Sequence, residues 1–215
     1  MWFMKLFMAE PHFEFRGNNP TEPSIILSNH VGMKGPVKWY LYFKLKHKLW
    51  GTHEMTEGFL AVHKYLTATY FHRKKHFSPF MAMFIGTIAS PFVNMFYKAL
   101  DLIPTYRDHR FRKTVRSSFA AIRDGYNIVI FPEDSSDGYH DHLTKFFAGF
   151  AVFADNCLKK GVDLPVFTSY FKKEENRFII DAPILFSQLK KNHGSFYNIA
   201  AALCNRTNAL GHALA

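Results

Sequence analysis

The chain has 215 residues, enough for one full-sized domain with a real core and short for two, and it contains no Ser/Gly-rich linker or internal repeat. Its 27 Lys and Arg against 17 Asp and Glu leave a net charge of +10, and 24 Phe, 10 Tyr and 3 Trp make a heavy aromatic load. That pairing suits an anionic membrane surface or an anionic amphipathic substrate. Nucleic acid is not expected as a partner, because the basic and aromatic run from Lys38 to Trp50 matches neither zinc-finger spacing nor an aromatic ribonucleoprotein strand.

In chain order, Met1 to Met8 is apolar but too short for a signal peptide and has no cleavage-site pattern, so residues 1–23 are expected to form an N-terminal interfacial segment. Residues 24–28 read as a buried strand, and Pro36 suits the first turn of a helix running to about Trp50. A second helix is predicted over residues 57–71, ending in the basic cluster His72-Arg73-Lys74-Lys75-His76. Residues 77–100 are long and apolar enough to be scored as a membrane span. Pro79, Gly86, Pro91 and Asn94 predict instead a broken helix pair that lines a core, walls an acyl-chain groove or dips into the lipid interface.

Residues 102–106 read as a short strand leading to Arg107. Asp108 is placed to cap a helix over 111–124 that Gly125 stops, with Arg112, Lys113, Arg116 and Arg123 on its solvated face. A strand ending at Phe131 precedes a polar loop, and a helix is predicted over 144–160, ended by Gly161. Residues 164–171 and 177–181 form a predicted hairpin around a charged turn. Another short apolar run at 184–186 and a helix over 196–203 complete the chain. The alternation predicts an α/β fold: a single domain over 1–215 with a mixed, mostly parallel sheet flanked by helices, its motifs in 24–170 and a C-terminal hairpin and helix in 171–215. Cys157 and Cys204 lie in apolar helical stretches with no metal or disulfide spacing, as expected of reduced core thiols in a cytoplasmic protein.

Two motifs stand just past buried strands, where open α/β sheets bind ligands: Ser28-Asn29-His30-Val31-Gly32-Met33-Lys34-Gly35-Pro36, and Phe131-Pro132-Glu133-Asp134-Ser135-Ser136-Asp137-Gly138. His140-Asp141-His142 has no third ligand at helical spacing, so no metal is expected there. Asn205-Arg206-Thr207 matches a glycosylation sequon that reads as accidental.

The ordered set of motifs resembles the glycerolipid acyltransferase family, whose best-known members are the lysophosphatidic acid acyltransferases. Asn29-His30 resembles the first block and Ile103-Pro104-Thr105-Tyr106-Arg107 the second. Phe131-Pro132-Glu133 resembles the Phe-Pro-Glu-Gly-Thr-Arg block, Lys145-Phe146-Phe147-Ala148-Gly149 the Phe-Lys-x-Gly segment, and Leu164-Pro165-Val166 the Val-Pro-Val block. Two departures stand out: the Asp of the family's His-x-x-x-x-Asp motif is Gly35 here, and Gly-Thr-Arg is Asp134-Ser135-Ser136.

The resemblance implies a peripheral enzyme on the inner face of the membrane. It would move a fatty acyl group from acyl-carrier protein or acyl-CoA, as donor substrate and with no further cofactor, to a lysolipid hydroxyl. His30 is the implied general base, a task that suits imidazole and is worth roughly 10²–10⁴-fold in rate. Glu133, Asp134 or a backbone carbonyl are the candidates to stand in for the missing carboxylate, and Glu133 is taken with His30 as catalytic. Asn29, Lys34, Arg107, Asp134, Ser135 and Ser136 are the substrate-binding candidates, Arg107 because a guanidinium fork matches an anionic head group. Gly32 and Gly35 are expected to let the backbone pass close to a substrate. A relative of the same fold that binds a lipid or an acyl carrier without catalysis is the alternative.

Overall fold

The structure is a computed structural model that describes residue 5 and residues 8–135 and 138–212. The described residues of Met1–Lys48, Ser117–Ser135 and Tyr139–Ala215 form one compact unit, and those of Leu49–Arg116 and Ser136–Gly138 form another. The expected apolar foot at Met1 to Met8 lies largely outside the described residues.

The first unit is built on a mixed, mostly parallel sheet. Strands β1 (His12–Phe15), β2 (Ile25–Ser28), β5 (Asn127–Ile130), β6 (Pro165–Lys172) and β7 (Arg177–Ile180) run in the order β1-β7-β6-β2-β5, with β8 (Ile184–Leu185) antiparallel to β6. Strand β2 is parallel to both neighbours, and β6 and β7 form the predicted antiparallel hairpin. Ile25, Ile26 and Leu27 are fully buried, as a central parallel strand covered on both faces requires. Strand β1, pairing in parallel with β7, was not foreseen.

Helix α1 (Lys34–Tyr42) carries Pro36 in its first turn, where the missing N–H costs nothing. It ends at Phe43, which turns extended, rather than near Trp50. The residues expected to continue it form β3 (His47–Thr52), because Trp50, Gly51 and Thr52 pair in parallel with β4 (Ile103–Thr105) of the second unit. Trp39 of α1 packs with Phe13, Phe43 and Phe178 into an aromatic core whose ring centroids lie 4.5–5.5 Å apart. Lys38, in the basic and aromatic run, is buried and donates to the Ala9 carbonyl at 2.7 Å.

The predicted cap at Asp108 is present, with its carboxylate accepting from the Arg110 N–H at 2.8 Å ahead of α4 (Phe111–Arg123). Gly125, at φ +82°, closes that helix. Helix α5 (Gly149–Lys159) starts five residues later than predicted. Helix α6 (Phe186–His193) was missed, and α7 (Phe196–His212) runs longer than predicted. Cys157 and Cys204 are buried free thiols.

The second unit is dominated by a helical pair. Helix α2 (Phe59–Lys64) widens into a π-helical stretch, Tyr65–Lys74, which packs against α3 (Pro79–Ala99). Helix α3 is continuous through Pro91 rather than broken: Ser78 caps it by accepting from the Met81 N–H at 3.3 Å, and Pro79 sits in its first turn.

Candidate active site

Strands β2 and β5 are parallel neighbours with Leu27 opposite Ile130, so the Asn29 and Phe131 loops leave the same end of the sheet. That end is the carboxyl edge, where ligands bind in open α/β sheets. The two loops are joined by a hydrogen bond: the His30 backbone N–H donates to Glu133 Oε2 at 2.9 Å. Glu133 is buried, with 9 % of its surface exposed. That carboxylate oxygen therefore fixes where the His30 backbone stands, by a charge-assisted hydrogen bond.

The half-buried imidazole of His30 lies between two rings. Tyr139 stacks on it with centroids 4.9 Å apart and planes 23° apart, and Phe131 meets it edge-on at 5.3 Å. Tyr139 was not foreseen; the sole sequence signal for it is an aromatic residue in an otherwise polar loop.

Its delivery depends on a strap made by residues 131–135 and 139–148. Phe147 N–H donates to the Pro132 carbonyl at 2.8 Å, Asp134 N–H donates to the Lys145 carbonyl at 3.0 Å, and Glu133 and Phe146 form an antiparallel bridge. This pairing holds residues 144–148 out of the helix that their sequence suggests, which delays α5. Further along, the Asn208 side chain holds both backbone groups of Leu143 at 2.8 Å, and the Tyr170 hydroxyl donates to the Asp141 carbonyl at 2.6 Å. The Tyr170 ring lies against Gly211, where an added Cβ would come within 2.7 Å of it. Burial first, and then the Glu133 charge, pushes the Cys204 thiol above its ordinary value, so that carboxylate acts within this neighbourhood.

Asn29 is 1 % exposed and clamps β6: its Oδ1 accepts from the Phe171 N–H at 2.6 Å and its Nδ2 donates to the Phe171 carbonyl at 3.3 Å. The chain then passes through two left-handed residues, Val31 at φ +45° and Gly32 at φ +63°. For a β-branched residue that conformation stores strain of roughly 1–3 kcal/mol, of the kind that gathers at functional sites.

Position 35 has no room for a side chain. A Cβ added there would lie 2.5 Å from the His30 carbonyl oxygen and 3.3 Å from that of Asn29, so no side chain fits without moving the His30 backbone. Its close approach is to this loop's own carbonyls rather than to a substrate.

Of the other sequence-predicted residues, Lys34 is exposed at the start of α1, and Asp134 and Ser135 are half-buried on the strap. Ser136 lies outside the described residues. Arg107 belongs to the second unit and is exposed after β4. Asp108 beside it is engaged by Arg110, which holds that carboxyl down to about 2. Among the described residues no three His, Cys, Asp or Glu side chains gather as a metal site; His142 instead meets His212, with ring nitrogens 3.3 Å apart.

No protein-family model and no curated protein matches the sequence. The structure is similar to the crystal structure of the 1-acyl-sn-glycerophosphate (LPA) acyltransferase PlsC from Thermotoga maritima, with a TM-score of 0.54 and 11 % identity, over 99 % of this chain and 76 % of that one. This chain shares that fold. At such identity the likeness speaks for the architecture, an acyltransferase-like α/β fold with a mostly parallel sheet flanked by helices.

Proposed function

We propose that this protein transfers a fatty acyl group from a thioester, on acyl-carrier protein or coenzyme A, to the hydroxyl of a lysophospholipid-like acceptor. It does so as a peripheral protein on the cytoplasmic face of an anionic membrane. The observation that carries this reading is the seating of His30: at the carboxyl edge of the sheet, on a strained turn, with its backbone anchored by Glu133 and its ring flanked by Tyr139 and Phe131. The fold shared with an LPA acyltransferase supports the reaction class.

In this mechanism His30 takes the acceptor hydroxyl proton as that oxygen attacks the thioester carbonyl carbon. The tetrahedral adduct collapses with cleavage of the C–S bond, and the departing thiolate takes the proton from the imidazolium. Glu133 positions His30 by accepting from its backbone amide. Lys34, Asp134 and Ser135 supply charge and hydrogen bonds for the acceptor, and the carrier is a substrate rather than a cofactor.

The close approach at Gly35 favours one second reading, a binder of lipid or acyl carrier that keeps the fold without turnover. The two separate on a panel of labelled palmitoyl thioesters and lysolipids. Label transfer to a lysolipid supports the enzyme. Absence of transfer with every pair, from folded protein that still binds the donor, supports the binder.

A further inference from the structure

Helix α3 is packed inside out for a helix in water. Its fully buried positions are Ala82, Gly86 and Ser90, with Ala89, Val93 and Tyr97 part-buried against Val62 and Leu66, while Phe80, Met83, Phe84, Ile88, Phe92 and Met95 stand exposed along the opposite half of the helix. The hydrophobic effect in water favours the reverse. Small residues inside and large apolar ones outside is the arrangement of helices whose outer solvent is lipid, where close backbone approach holds the pair together. That approach is present: a Cβ at Gly86 would come within 2.5 Å of the Thr67 methyl on the π-helical stretch.

The polar groups of the pair follow the same logic. The hydroxyls of Thr87, Ser90 and Thr67 donate back to the carbonyls of Met83, Gly86 and His63 at 2.8, 2.5 and 2.9 Å, so they ask nothing of water. No charged residue occurs between Phe77 and Tyr97. Exposed Arg73 and Lys75 stand just before the helix and exposed Lys98 at its end, the charge placement that complements anionic head groups.

We propose that the exposed half of α3 inserts lengthwise into the interfacial layer of an anionic phospholipid bilayer and is the membrane-docking surface of this protein. The inference rests on the membrane partner of the reading above and not on turnover. Helix α3 is also long and apolar enough to cross a bilayer. A crossing is disfavoured by its partner: the His63 ring meets Thr87, near the middle of α3, at 3.0 Å, and exposed Lys64 follows His63. Spanning would carry that lysine to the depth where charge is most costly, whereas lying in the interface leaves it in water.

The test is sedimentation of the full chain with vesicles of phosphatidylcholine containing about 30 % phosphatidylglycerol. Wild-type protein is expected to bind, and the double variant Phe84→Asp, Phe92→Asp to bind at least about tenfold more weakly while melting as wild type. Arg73→Glu with Lys75→Glu weakens binding in a salt-sensitive way. His30→Ala binds as wild type, so loss of turnover and loss of docking are read separately. Unchanged binding by the Phe84, Phe92 variant overturns the proposal. So does a wild-type dimer that ignores vesicles and that the variant dissociates, which means the face is covered by a second copy.

Discussion

In the sheet unit the large apolar side chains are interior: Phe178 is fully buried, stacked on Phe171 at 4.3 Å and on Phe13 at 5.0 Å. In the second unit α3 is as rich in Phe and Met, yet Phe80 is 81 % and Phe92 67 % exposed while Ala82 and Ser90 are buried. Apolar composition is the same signal in both places and carries opposite structural meaning. What separates them is placement: α3 turns Ala82, Gly86, Ser90 and Val93 to its partner and leaves its large Phe and Met side chains in solvent.

This contrast is broken most forcefully by truncation. Phe178→Ala is expected to cost about 3–5 kcal/mol of folding stability, by lost transfer energy and a cavity. Phe92→Ala is expected to stay within about 0.5 kcal/mol, since its side chain leaves water in neither the folded nor the unfolded chain. Urea denaturation of both, without lipid, checks this; equal costs would mean that α3 is buried in solution.

A smaller effect sharpens the account of the His30 loop. Gly35→Ala pushes a methyl against the His30 and Asn29 carbonyls and is expected to cost about 1–3 kcal/mol, as overpacking does. Gly35→Asp meets the same carbonyls and is predicted to lower turnover. An active, stable Gly35→Asp variant would show that the loop yields.

The smallest effect concerns a tie of the sheet unit in which buried Asp155 meets two solvent-facing lysines. Burial pushes the Asp155 carboxyl up, but hydrogen bonds from Lys159 and Lys190, with N···O distances of 2.7 and 2.6 Å, outweigh it and hold the group below its ordinary 3.8. A depressed carboxyl stabilises the fold above the ordinary value and loses that contribution as pH falls through the lower, folded value. Asp155→Asn is therefore expected to cost about 1 kcal/mol at neutral pH, with the deficit shrinking in acid; melts across pH read it directly.

Much of the sheet was legible because its signals are local. The runs at 24–28 and 127–130 are short, apolar and bounded by polar loops, and the hairpin turns on the charged residues 172–176. The losses came where a distant partner decides. Residues 47–52 are a strand because Ile103 and Thr105 pair with them, β1 exists because β7 offers an edge, and residues 144–148 bridge to Glu133 instead of entering a helix. In the candidate site, His30 and Glu133 were legible as loop residues after strands. Their connection through a backbone amide, the stacking of Tyr139 and the steric demand at Gly35 were not, since each depends on coordinates that no spacing rule carries. In α3 the prolines suggested a break, but Pro79 falls in a first turn and the helix continues through Pro91.

The most direct test of the central claim is the rate of acyl transfer to a lysolipid by His30→Ala against wild type, with folding of both verified by circular dichroism. Wild-type turnover that falls by roughly 10²–10⁴-fold in the variant is the predicted result for a lost general base. Turnover that survives the substitution, or a folded wild-type protein that turns over no donor and acceptor pair, would contradict the assignment of His30 as the base.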